Sequence, residues 1–169
     1  MRRHLVIALP TWDVAGAAHA GFEGFVTFEQ LATADVPPRP GVYLVLRPAL
    51  PPTYLPLSPA GRFKDKEPTV SMDRLETEWL HGTEVIYIGK ASARKTRADG
   101  LRKRLNEYRR FGAGEPVGHW GGRLIWQLAD SRSLLVAWKE SDSPRELESQ
   151  LIADFVQDHG RLPFANLRH

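Results

Sequence analysis

The stretch EVIYIGK, residues 84–90, decides how this chain is read. Val85, Ile86 and Ile88 are β-branched and suit a pleated, half-buried surface, so they predict a strand. Tyr87, Gly89 and Lys90 do not follow from packing preference. Two readings stand: a cross-strand packing tyrosine in an ordinary hairpin, or a strand that presents a phenol and an ammonium to a ligand, with Gly89 letting backbone or phosphate come close.

Working outward, GVYLVLR (41–47) is the nearest partner strand. Period-two alternation groups Tyr43 with Gly41 and Val45, and Tyr87 with Val85 and Gly89. If the two strands pair, both phenols are neighbours on one face. Between them, residues 48–70 contain Pro48, Pro51, Pro52, Pro56, Pro59 and Pro68, which excludes regular structure for most of the segment. SMDRLETEWL (71–80) predicts a short helix capped by Ser71 and closed by Gly82. Upstream, VTFEQLATA (26–34) predicts a short helix with Thr27 as N-cap. Downstream come a helix from about Gly100 to Arg110, a helix over 118–128 and a strand over 133–140. A last helix opens at Ser143-Pro144 and runs to about His159, with Ser143 as N-cap. The order β, β, α, α, β, α predicts an α/β (α+β) fold: a small three-stranded, mainly antiparallel sheet flanked by helices, with a long insertion in the first hairpin. Residues 1–36 are expected to be an N-terminal extension packed on the core, and 37–169 the main domain with its insertion at 48–83.

Composition narrows the function. The chain has 169 residues, one domain's worth, and its 42% apolar content with five tryptophans fits a packed core. It has no cysteine, which excludes disulfides, zinc ribbons, Fe–S clusters and thiol nucleophiles together. No apolar run approaches a membrane span, and Leu5–Leu9 is too short for a signal-peptide core, so a cytoplasmic protein without membrane association is expected. Net charge is only +3, yet Lys90 to Arg110 hold nine Lys/Arg (90, 94, 95, 97, 102, 103, 104, 109, 110) against Asp99 and Glu107. That local excess is either a solvated basic face or the footprint of a phosphate-rich partner. Lys90, Arg94, Lys95, Arg97, Arg102, Lys103 and Arg109 are the candidate nucleic-acid contacts.

Two helices carry a polar intruder. Leu101, Leu105, Tyr108 and Phe111 recur at helical spacing, and Arg104 lies in their stripe. In the last helix, Glu148 lies among Leu147, Leu151, Ile152, Phe155 and Val156. Buried charges must be paired or used, so Arg104 and Glu148 either pair with each other or serve a site. With Tyr43, Tyr87 and Lys90 they are the parts needed to cut a phosphodiester. One carboxylate can suffice for a Mg²⁺ that keeps most of its waters, whereas a two-metal nuclease needs more. The cations can hold non-bridging oxygens, and a phenol with a lowered pKa can take a proton from water.

In order along the chain, this set resembles the GIY-YIG nuclease superfamily. Gly41-Val42-Tyr43 matches its first motif with Val for the usual Ile, and Tyr87-Ile88-Gly89 matches its second. Lys90 is similar to the lysine that follows. Leu101-x-x-Arg104 with Tyr108, the Glu148-x-x-Leu151-Ile152 helix, and Asn166 after Pro163 complete the pattern, and His119 is similar to a histidine of one branch. The match spans residues 41–166, with longer insertions at 48–83 and between Lys90 and Leu101 than the family commonly has.

The resemblance implies a divalent-metal-dependent DNA endonuclease using Mg²⁺ or Mn²⁺. Tyr43, Tyr87, Lys90 and Tyr108 would serve the general base, Arg104 the phosphate and Glu148 the metal, with Asn166 in support. It leaves open which tyrosine is the base, whether RNA replaces DNA, and whether the chain works as a homodimer. A non-catalytic nucleic-acid-binding module on the same fold is the alternative.

Overall fold

A computed structural model describes residues 7–92 and 100–167. Its regular elements are α1 (Val14–His19), β1 (Glu23–Thr27), β2 (Gly41–Leu46), α2 (Met72–Glu78), β3 (Val85–Ala91), α3 (Gly100–Gly112), β4 (Leu135–Glu140) and α4 (Pro144–His159). Short 3₁₀ segments cover Gln30–Ala32, Trp120–Gln127 and Ser131–Ser133. No helix among the described residues is long and apolar enough to cross a membrane.

The architecture is α+β, and among the described residues its sheet has four strands rather than the expected three, in the order β1-β4-β2-β3. Every pairing is antiparallel. β1 escapes a sequence reading because its alternation is broken. Gly24 and Phe25 both have positive φ, and the register against β4 shifts between Gly24 and Val26, so the strand is bulged where a periodic signal would be needed. β1 falls inside the 1–36 segment, which therefore contributes a strand to the sheet.

Three helix expectations are also revised. The helix expected over 26–34 is a single 3₁₀ turn, although its cap chemistry is present: Gln30 N–H donates to Thr27 Oγ1 at 3.2 Å and Thr27 N–H to Gln30 Oε1 at 2.9 Å. The segment expected as a helix over 118–128 is the 3₁₀ run, broken at Gly122. At α4, Ser143 makes no capping hydrogen bond, while Pro144 does sit at the helix start. Ser71 caps α2 as expected, accepting from Arg74 N–H at 3.2 Å.

β2 pairs with β3 on one side and β4 on the other, and all six of its residues are buried. One face of the sheet packs Tyr43, Val45 and Tyr87 against Leu101, Leu105, Tyr108 and Phe111 of α3. The other packs Val42, Leu44 and Ile88 against Leu147, Leu151, Ile152 and Phe155 of α4. Burying each such side chain contributes about 1.5–3 kcal/mol, so the two helices are fixed on opposite faces. A bulge in β3 skips Ile86 between the pairs Val45–Tyr87 and Leu46–Val85. Val85 consequently packs on the α4 side with Ile88, not beside Tyr87 as unbroken alternation predicts.

Candidate functional site

β3 is an edge strand, so side chains from both faces of the sheet meet around it. There they line a cleft of about 450 Å³, which receives Tyr43, Tyr87, Lys90, Arg104, Glu148 and Asn166. The expected site residues thus arrive from β2, β3, α3, α4 and the tail.

The phenols are neighbours as alternation predicts, with ring centroids 6.0 Å apart. The reason lies in the register. Tyr43 stands opposite Gly89, and a Cβ there would lie 2.5 Å from Tyr43 Cζ and 2.6 Å from its hydroxyl. Gly89 therefore makes room for the Tyr43 ring; it does not hold open an approach for a phosphate. Tyr43 is fully buried and its hydroxyl lies 2.6 Å from Nε2 of His119. Tyr87 keeps 8% of its surface exposed.

His119 and Tyr108 form a layer behind this pair. Neither lines the cleft. Their rings stack with centroids 3.5 Å apart, and Tyr108 donates its hydroxyl hydrogen to the Gly122 carbonyl at 2.7 Å. Tyr108 is thereby a support for His119, with its proton already committed. Burial, together with the Arg104 charge, holds the His119 pKa well below the usual histidine range, so the ring is neutral. Its Nδ1 is buried without a hydrogen-bond partner among the described residues. A hydrogen there would be an orphaned donor, which costs more than an orphaned lone pair. The favoured tautomer therefore carries its hydrogen on Nε2 and donates it to the Tyr43 oxygen.

All three phenols are pushed up. Burial is the main cause for each, raising Tyr43 and Tyr108 well above 10 and Tyr87 to about 12. Arg104 opposes the shift at every one of them. The expectation of a phenol with a lowered pKa does not hold for the chain alone.

The charged groups pair differently from the direct Arg104–Glu148 alternative. Arg104 donates to the Gly118 carbonyl at 2.5 Å and meets Glu107 at 3.3 Å. Glu148, its side chain 10% exposed, pairs with Lys90 at 3.2 Å. Tyr87 and Lys90 are three residues apart on a strand and so point to opposite sides, which is why Lys90 reaches the α4 carboxylate instead of a phenol. Glu148 Oε1 takes that contact, and Oε2 has no hydrogen-bond partner among the described residues. No three His, Cys, Asp or Glu side chains converge among the described residues. A single Mg²⁺ retaining its waters fits one carboxylate with a spare oxygen on an open cleft.

Asn166 completes the rim. Its Oδ1 accepts from Ile88 N–H and its Nδ2 donates to the Ile88 carbonyl, both at 2.9 Å, so it closes the free edge of β3 as a further strand would. Of the basic candidates, Lys103 also lines the cleft. Arg102 binds the Val36 carbonyl at 2.8 Å, and Arg109 binds Asn106 at 2.6 Å, so neither points its hydrogen bonds at the cleft. Arg94, Lys95 and Arg97 lie outside the described residues. Sequence reasoning missed Glu107, which lines the cleft one turn beyond Arg104; its (i, i+3) spacing from Arg104 was the available signal.

Comparison with protein-family models, with curated proteins and with solved structures finds no match to this chain.

Proposed function

We propose that this chain is an endonuclease of the GIY-YIG type that hydrolyses DNA phosphodiester bonds with one divalent cation, Mg²⁺ or Mn²⁺. The observation that supports it is the convergence of Tyr43, Tyr87, Lys90, Arg104 and Glu148 on one cleft from four elements. On this reading the family core is β4-β2-β3 with α3 and α4, and β1 is an addition at the sheet's far edge.

Arg104 and Lys90 hold the phosphate's non-bridging oxygens, charge-assisted contacts that strengthen as the phosphorus becomes five-coordinate. Tyr43 is the base, because its oxygen receives the His119 hydrogen bond and faces the opposing field of Arg104. As a phenolate, Tyr43 takes one proton from the attacking water; the water oxygen forms the new P–O bond and the leaving oxygen departs with the P–O electron pair. Tyr87 orients that water from the slightly exposed side. A cation on Glu148 would supply the positive charge that offsets the burial cost of the phenolate and neutralises the leaving oxygen. Glu107 holds Arg104 in place by its ion pair.

The upward shift of all three phenols favours one rival, a module that binds nucleic acid without cutting it. Cleavage assays on plasmid, single-stranded and branched DNA, with and without Mg²⁺ or Mn²⁺, separate the two. Metal-dependent cutting that is lost in Glu148→Gln is expected. Metal-independent binding with no cutting of any substrate, or full activity in Glu148→Gln, refutes the nuclease.

A further inference from the structure

We propose that a second phosphate of the bound strand is held outside the cleft, in a groove formed by Arg74, Arg123 and Arg161; this rests on the nucleic-acid reading of the cleft. The groove is a cavity of about 690 Å³. It adjoins the cleft, because Gly121, Asn166 and Leu167 line both. A strand with one phosphate between Arg104 and Glu148 has this wall as its continuation.

Three segments far apart in sequence deliver the guanidiniums. Arg74 comes from α2 in the long insertion, Arg123 from the 3₁₀ run, and Arg161 from the turn after α4. Their charge is poorly neutralised by the described residues. Arg123 has no acidic partner among the described residues; it donates to the Trp120 carbonyl at 3.2 Å and lies 4.4 Å from the centroid of the Trp120 ring. Its Nε is buried with no acceptor among the described residues. Burial and the like charge of Arg74 both lower its pKa, the mark of a guanidinium without a counter-ion. Arg161 donates to the Thr77 carbonyl at 2.6 Å and approaches Glu78 only to 3.8 Å. Among the described residues, Glu78 is the one carboxylate in the lining, against three arginines. Gathering like charges is unfavourable, and an anion between them reverses the sign. Planar forks that accept two phosphate oxygens at once suit a phosphodiester better than a compact ammonium would. The insertion thereby gains a role: α2 brings a guanidinium alongside the path of the strand.

The test reads binding without cutting. Glu148→Gln protein is titrated, without divalent metal, against a fluorescein-labelled single strand of about 20 nucleotides, and anisotropy is followed over a range of KCl. Adding Arg74→Gln, Arg123→Gln or Arg161→Gln is expected to raise Kd about three- to tenfold and to reduce the slope of log Kd against log[KCl] by about 0.7, the increment for one phosphate of a single strand no longer neutralised. Arg145→Gln, the same charge removed from an exposed position lining neither cavity, is expected to leave both unchanged. Arg74 and Arg161 are exposed, so they decide the matter if Arg123→Gln, half-buried, fails to fold by circular dichroism. Kd within twofold of the parent and an unchanged slope in the arginine variants overturn the proposal. Inorganic phosphate is expected to compete beyond chloride of equal ionic strength in the parent but not in the variants, since a groove that holds a phosphodiester also takes the free anion. Cutting by wild type with unaffected arginine variants refutes the groove alone. Groove-dependent binding without cutting under any metal refutes the nuclease alone.

Discussion

Replacing Gly89 with alanine tests the geometry on which the site depends. Gly89 lies in β3 and is not among the glycines with positive φ, so alanine brings no backbone strain and the whole effect is spatial. The new methyl would lie 2.5 Å from Tyr43 Cζ and 2.8 Å from Cε2, well inside contact distance. The ring cannot swing freely, because it is fully buried and its hydroxyl is tied to His119 at 2.6 Å. Overpacking of this kind costs about 1–3 kcal/mol. For a chain of this size that lowers Tm by roughly 2–4 °C per kcal/mol, so roughly 2–12 °C in all. Displacing the Tyr43 hydroxyl by about 1 Å is expected to reduce cleavage about 10²-fold. Differential scanning fluorimetry reads the first quantity and a plasmid nicking assay the second. The decisive comparison is Gly89→Ala in a Tyr43→Ala background, where the methyl enters vacated space and its cost should fall to near zero, a coupling of about 1–3 kcal/mol. If Gly89→Ala costs the same in both backgrounds, or leaves Tm and cleavage at wild-type values, Tyr43 does not lie across Gly89 and the phenols are not held as the register requires.

Further outcomes follow from the same geometry. Tyr43→Phe leaves the His119 Nε2 hydrogen buried without its acceptor, so it should cost about 1–3 kcal/mol in urea unfolding and abolish cleavage; cleavage retained above a tenth of wild type contradicts its role as base. Because burial raises the Tyr43 pKa, the phenolate fraction grows with pH, and log kcat should climb through pH 8–10 without a plateau; a flat profile in that range contradicts a phenol base. His119 gives an acid-side signature. Its folded pKa is depressed, so below about 6.5 the unfolded chain takes up a proton that the folded one refuses, and stability is lost as the pH is lowered, by up to about 1.4 kcal/mol per unit. Urea midpoints compared between wild type and His119→Gln should show that slope only in wild type. Arg104→Ala should lower cleavage about 10²–10³-fold with far-UV circular dichroism unchanged, and an activity within tenfold of wild type would remove Arg104 from the phosphate.

The parts of this fold that were legible in the sequence are those where one periodicity runs unbroken. β2 and α3 show it: an unbroken apolar run, and Leu101, Leu105, Tyr108 and Phe111 at helical spacing. Arg104 and Glu148 stood out for the same reason, as exceptions to a clean pattern. What failed was local irregularity. The positive φ of Gly24 and Phe25 hid β1, and the bulge at Ile86 moved Val85 to the other face. Pairing choices failed for a different reason, since which carboxylate an arginine meets depends on tertiary placement. Glu148 went to Lys90 and Glu107 to Arg104. The role of Gly89 was also invisible, because it depends on a side chain 46 positions earlier in a strand register that only the folded sheet defines.

The amide of Asn166 has a consequence for how the protein behaves in crowded solution. An unprotected sheet margin invites another chain to add a strand and begins aggregation. Here, among the described residues, the margin beside the cleft is occupied by the Asn166 side chain and a backbone bond, Ala165 N–H to the Ile86 carbonyl at 2.8 Å. Clipping the last few residues, or changing Asn166 to alanine, would expose an apolar template, Ile86-Tyr87-Ile88. Loss of activity and loss of solubility should then appear together in such variants, with self-association as their common origin.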